Sequence, residues 1–168
     1  MPLTAIGWIF TCGVLVHNME EALYLPAWSQ RAGRFRNPVG TSVFRCAAVI
    51  LSVLFVLATA AASAFPAARL AAYVMAGYVL AMVLNVFVPH VLATVVTRKY
   101  MPGTATALIF NLPLGVLYLT RALAEQRVSF PTFYWAGPMV VLVLLALLPG
   151  LFAVGRRFHR LPSSYDAT

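Results

Sequence analysis

Residues 41–65 read TSVFRCAAVILSVLFVLATAAASAF and carry one charge, Arg45, near their start. A helix over this stretch is about 37 Å long at 1.5 Å per residue, enough to cross the roughly 30 Å hydrocarbon core of a bilayer. The apolar positions run continuously instead of alternating. Of the two architectures that satisfy every backbone hydrogen bond in lipid, helix and closed barrel, the pattern therefore selects the helix.

Four similar runs flank this one, over about residues 3–25, 70–97, 104–123 and 132–155. Pro26 and the interfacial aromatic Trp28 are expected to close the first. Pro66, Pro102-Gly103 and Pro131 punctuate the others. The predicted fold class is all-α, an integral membrane bundle of about five transmembrane helices. It forms a single domain over residues 1–160, with a polar tail at 161–168. With 62% hydrophobic residues, 10% charged residues and a mean hydropathy of +0.87, the chain has too little polar surface for a water-exposed globule.

The net charge of +8 does not point to nucleic acid, because the cations sit between and after apolar runs and form no stripe interleaved with aromatics. Membrane lipids with anionic headgroups are the expected partners. With five spans, one side receives Arg31, Arg34, Arg36, Arg45, Arg98, Lys99, Arg156, Arg157 and Arg160, and the other only Arg69, Arg121 and Arg127. Nine cations against three place the N-terminus outside and the C-terminus in the cytoplasm, in what is expected to be the cytoplasmic membrane. No positive segment precedes the first run, so no cleaved signal peptide is expected. Cys12 and Cys46 have no metal-like spacing and read as small packing residues.

The chemistry concentrates in His17-Asn18-Met19-Glu20-Glu21, which holds two of the four acidic residues and one of three histidines. An ionisable group at membrane depth costs about 2.5–3.5 kcal/mol on insertion scales, so this trio requires compensating partners. Positions 17, 20 and 21 stand at i, i+3 and i+4 and share a helix face. A second polar group, Asn85-Val-Phe-Val-Pro89-His90, lies in the third span. Asn85 and His90 would diverge by about 140° on an ideal helix. Pro89 cannot donate to Asn85, and the distortion that results can bring the two together. His17 lies eight residues before Leu25, His90 eight before Arg98, and Asn111 seven into the fourth span. All three fall in one layer, in the half of the bundle expected to be cytoplasmic.

These residues resemble the signature of the HXXEE family. Asn85 with His90 fits its Asn-x4-His motif, and Gly103-Thr104 resembles its Gly-Thr motif. The resemblance implies a small multi-pass membrane protein and names a site without naming a substrate.

Three chemistries suit the site. His17 and Glu21 at i and i+4, completed by His90, make a ligand set for one divalent metal, zinc or iron, with Glu20 as base and Asn85, Asn111 and Thr104 in support. Without metal, Glu20, Glu21, His17 and His90 make an acid–base set for an isomerase, cyclase or glutamate-type hydrolase. Without bond breaking, the same groups suit a proton- or metal-coupled transporter or sensor. The preferred reading is an intramembrane enzyme acting on an apolar or lipid-like substrate with metal assistance. Arg98 and Lys99, before the fourth span, are expected to contact an anionic headgroup.

Overall fold

The computed structural model describes residues 1–31 and 39–159. Five helices run through them: α1 (Leu3–Arg31), α2 (Thr41–Ala64), α3 (Arg69–Thr97), α4 (Thr104–Ala124) and α5 (Phe130–His159). No strand occurs among the described residues. α2 to α5 are long and apolar enough to cross a membrane. At 29 residues α1 also has the length, but the His17–Glu21 segment dilutes its apolar character. The protein is an integral membrane helical bundle. Arg34, Arg36, Arg160 and the expected tail at 161–168 lie outside the described residues.

The boundaries of α2, α3 and α4 fall within a residue of those read from the sequence. α1 does not. It continues through Pro26 to Arg31 instead of ending at Leu25. Proline has no N–H for the carbonyl four residues back, Ala22, and that loss ordinarily ends or kinks a helix. Here the Arg45 side chain on α2 donates its Nε–H to the Ala22 carbonyl at 3.0 Å. A charged donor from the next helix replaces the missing backbone donor, and α1 runs on.

Two apolar clusters hold the bundle. The larger joins Phe10 and Val14 of α1, Phe55 of α2, Met75 and Val79 of α3 and Tyr118 of α4. The smaller joins Leu25, Phe44, Ala48, Ala93 and Met101, and the site lies between them along α1. Lipid tails are as apolar as leucine, so close packing and interhelical hydrogen bonds do more here than solvent exclusion. Thr11 and Thr59 are bonded across α1 and α2 at 2.8 Å, and Asn18 donates to Ser52 at 2.9 Å. Cys12 is exposed and not a buried packing residue. α5 packs on α2 and α3.

The α3–α5 seam depends on a missing side chain. A Cβ on Gly77 would lie 2.5 Å from Val140 Cβ, closer than carbon atoms approach. Gly77→Val is expected to push the helices apart at a cost of about 1–3 kcal/mol, lowering the thermal midpoint of the purified protein by roughly 2–12 °C. An unchanged midpoint would show that the seam contributes nothing.

Candidate metal centre between the first, third and fourth helices

α3 is broken where Pro89 predicts it. Val88 leaves helical geometry (φ −131°, ψ 111°) inside a wide turn over Val86–Val91, and the helix resumes at Leu92. The break brings both ends of the Asn85…His90 pair to α1. Asn85 Nδ2 lies 3.4 Å from His17 Nε2, and His90 Nε2 lies 3.3 Å from Glu21 Oε1. α4 has a π-type turn of its own over Ala107–Asn111, a distortion common at functional sites.

His17, Glu21 and His90 therefore meet. One ligand-type atom from each lies within 4.8 Å of the other two. Glu21 Oε2 is 3.9 Å from His17 Nε2, and the two imidazoles cross edge to face with centroids 4.8 Å apart. Both histidines are fully buried, while Glu21 keeps 17% side-chain exposure.

The backbone fixes the chemistry of His17. Its Nδ1 lies 3.1 Å from the Gly103 carbonyl and 3.2 Å from Thr106 Oγ1. A carbonyl only accepts, so Nδ1 carries the hydrogen, and the Nε2 lone pair, on the side of Glu21 and His90, accepts from Asn85 Nδ2. Gly103 sits at φ +92°, in the left-handed region. A Cβ there would lie 2.6 Å from His90 Cε1, 2.9 Å from His17 Cε1 and 3.1 Å from Glu21 Cγ. Only glycine meets both demands.

Glu20, one position along, turns the other way. Tyr100 donates its hydroxyl to Oε1 at 2.6 Å and Thr106 donates to Oε2 at 2.7 Å. Burial, then the bond to Glu20, pushes the Tyr100 phenol up, so it stays protonated and donating at neutral pH. Glu20 thus reaches His17 through Thr106 and stands behind the cluster. Thr104 donates to the Met101 carbonyl at 2.7 Å, with Thr94 Oγ1 at 3.0 Å and the His90 carbonyl at 3.4 Å, and so ties the α3–α4 turn to the backbone of His90. Asn111 is fully buried in the π-type turn, and neither of its amide atoms has a hydrogen bond. Arg98 and Lys99 are exposed at the end of α3.

The sequence reading missed Gly103 as a hydrogen-bond acceptor and missed Tyr100 and Thr106. A backbone carbonyl leaves no side-chain signal. Only the Gly-Thr pair pointed to that turn.

The donor types are ones that bind metals. Tetrahedral zinc with bonds near 2.1 Å needs its ligands about 3.4 Å apart. The His90–Glu21 distance already matches, the His17–Glu21 distance is about half an ångström too long, and the three ligand atoms together lie only within 4.8 Å of one another, so they would draw inward around an ion. His90 Nδ1 is buried without a hydrogen bond, and Nε2 has its 3.3 Å contact with the Glu21 carboxylate, a position from which it could also serve as a ligand. Two histidines and one carboxylate suit catalytic zinc and also non-haem iron.

A cavity of about 680 Å³ opens beside the cluster between α1, α2, α3 and α5. Asn18, Glu21 and Asn85 line one end, and the remaining walls are almost entirely apolar. Arg98 and Lys99 do not line it.

Comparison with known proteins agrees with the motifs. The model for the family described as protein of unknown function with HXXEE motif matches residues 8–118. The uncharacterized protein YrkK of Bacillus subtilis (strain 168) is 34% identical over 146 residues, 87% of this chain and 92% of that protein. The 3-(3-hydroxy-phenyl)propionate transporter of Escherichia coli (strain K12) is 32% identical over 147 residues, 85% of this chain. The chain spans 33% of that transporter. No solved structure matches. With its three motifs inside or beside one buried cluster and the family model covering about two thirds of its length, the chain belongs to the HXXEE family.

Proposed function

We propose that His17, Glu21 and His90 hold one divalent metal, zinc or iron, and that the protein is an intramembrane enzyme acting on an apolar or lipid-like substrate seated in the adjoining cavity. The observation that carries this reading is the convergence of three ligand-type atoms within 4.8 Å inside the bundle, one of them on an imidazole whose other nitrogen is bonded to a backbone carbonyl. A histidine ligand commonly donates its second N–H in this way, which fixes its tautomer and raises its basicity. The metal would supply Lewis acidity and lower the pKa of a bound water, the basis of hydrolytic and related chemistry. The chain's own residues exclude bulk water, aim His17 Nε2 and seat the substrate beside Glu21. Bonded to Tyr100 and Thr106, Glu20 suits orientation of His17 better than it suits the role of base. Metal-free acid–base chemistry by the same side chains is the alternative within the enzyme class.

The match to part of a transporter favours a second reading, in which the cluster binds an ion or proton coupled to movement of an apolar carboxylate and no bond is broken. Stoichiometric metal together with turnover supports the first reading. Substrate flux across a vesicle membrane without turnover supports the second.

For the membrane, we propose the orientation read from the cations. Arg31, Arg45, Arg98, Lys99, Arg156 and Arg157 stand at one end of the described bundle and Arg69, Arg121 and Arg127 at the other, which supports an N-terminus outside and a C-terminus in the cytoplasm. A reporter active only in the cytoplasm is expected to function when fused at the C-terminus. Activity of a periplasm-specific reporter there would reverse the orientation.

Elemental analysis tests the metal. Wild type is expected to hold one ion per chain, and His17→Ala, His90→Ala and Glu21→Gln to hold none, since two remaining ligands bind poorly. Glu20→Gln is expected to retain the ion with affinity weakened about 10–100-fold, as for an outer partner of a ligand. Full metal in Glu21→Gln would remove Glu21 from the set. No metal in wild type would leave the metal-free reading.

Gly103→Ala gives an independent check, because it alters no ligand. Its methyl group would occupy the space of both imidazole edges, so metal loss with the helical circular dichroism retained is expected. Normal metal content would show that the α3–α4 turn yields without disturbing the cluster.

A further inference from the structure

The shape of the cavity restricts what it admits. Its walls extend from Phe44 to Phe55 on α2, from Tyr78 to Pro89 on α3 and from Val141 to Phe152 on α5. Each stretch covers eleven residue steps, about 16 Å at 1.5 Å per residue, which is half of a roughly 30 Å hydrocarbon core. The cavity is therefore one leaflet deep. Its volume of about 680 Å³ falls within the range of small-molecule sites, about 300–1,000 Å³.

Its polarity is confined to one end. Glu21 is the one charged side chain in the lining among the described residues, and Asn18 and Asn85 flank it. Asn18 has its amide nitrogen committed to Ser52, which leaves Oδ1 as an acceptor. Deeper in, the Tyr78 hydroxyl is already donated to the Leu51 carbonyl, so this end offers a ligand only apolar surface. Among the described residues no lysine or arginine lines the cavity, and a phosphate taken out of water without a cation or donor cluster is strongly disfavoured.

We infer that the cavity binds a single-chain amphiphile with a small uncharged head, an alcohol, amide or ester, its tail directed toward the bilayer centre and its head beside Glu21, Asn18 and Asn85. The inference rests on the proposed function and names its substrate class. The described lining disfavours a phosphate head, so the cavity is suited to a minor amphiphile over bulk phospholipid. The chain length is limited to one leaflet, and the bond nearest the head lies next to the His17–Glu21–His90 cluster.

The test uses the full chain in phosphatidylcholine nanodiscs, with radiolabelled myristyl alcohol as probe and myristoyl lysophosphatidic acid as competitor. Saturable binding of one alcohol per chain is expected, with at least tenfold weaker competition by the phosphate-headed lipid. Ala81→Phe and Leu148→Trp, on opposite walls, are each expected to abolish binding while metal content and thermal midpoint stay at the wild-type level. A variant that fails to assemble is recognised by its lost metal, and the other wall then decides. Binding no greater than in protein-free nanodiscs would overturn the inference, as would equal competition by the phosphate-headed lipid or undiminished binding in both filled variants. If alcohol binding fails while metal is present, the substrate class is wrong and the metal centre stands. If the alcohol binds to a metal-free wild type, the metal centre is wrong.

Discussion

A buried imidazole in lipid must place both of its nitrogens, and His17 sets Nε2 against the Asn85 amide and Nδ1 against the carbonyl of Gly103. This contact joins α1 to the turn between α3 and α4. It fixes which nitrogen carries hydrogen and so determines what Nε2 offers to Glu21 and His90. Gly103 can approach because it lacks a side chain and adopts a positive φ. Thr104 then anchors the same turn to the backbone of His90, and Thr106 extends it to Glu20. The arrangement therefore depends on a backbone group held at one height in the bundle.

Helix irregularity is the means by which the other residues arrive. A straight α3 would point Asn85 and His90 about 140° apart, and the break at Val88 and Pro89 brings both to the same partner helix. Where α1 meets a comparable obstacle at Pro26, Arg45 supplies a donor and the helix stays intact. One proline is repaired and the other is used.

The membrane spans were legible because apolar length is a direct physical requirement of the bilayer, and few other arrangements of such runs are possible. His17 and Glu21 were legible through their i, i+4 spacing, and His90 through the cost of placing an ionisable group at depth. The continuation of α1 was not, since nothing local tells that Arg45, on another helix, reaches Ala22. Nor was the divergence of Glu20 from Glu21. Adjacent helical positions differ by about 100°, and which one faced α3 depended on how α1 was rotated in the bundle. Tyr100 and Thr106 carry no motif of their own, and they acquire meaning only once the turn is seen to fold back over α1.

The uneven burial of the three clustered residues bears on the order of events. His17 and His90 are sealed, and Glu21 alone is partly open, toward the same cavity that a ligand would fill. Among the described residues, the carboxylate is the part of the cluster that meets the cavity. An ion bound as proposed, if it enters by this side, would have to arrive before the cavity is occupied. An occupant of the cavity would act as a stopper, making slow exchange at the cluster a property of the doorway and independent of the strength of binding inside.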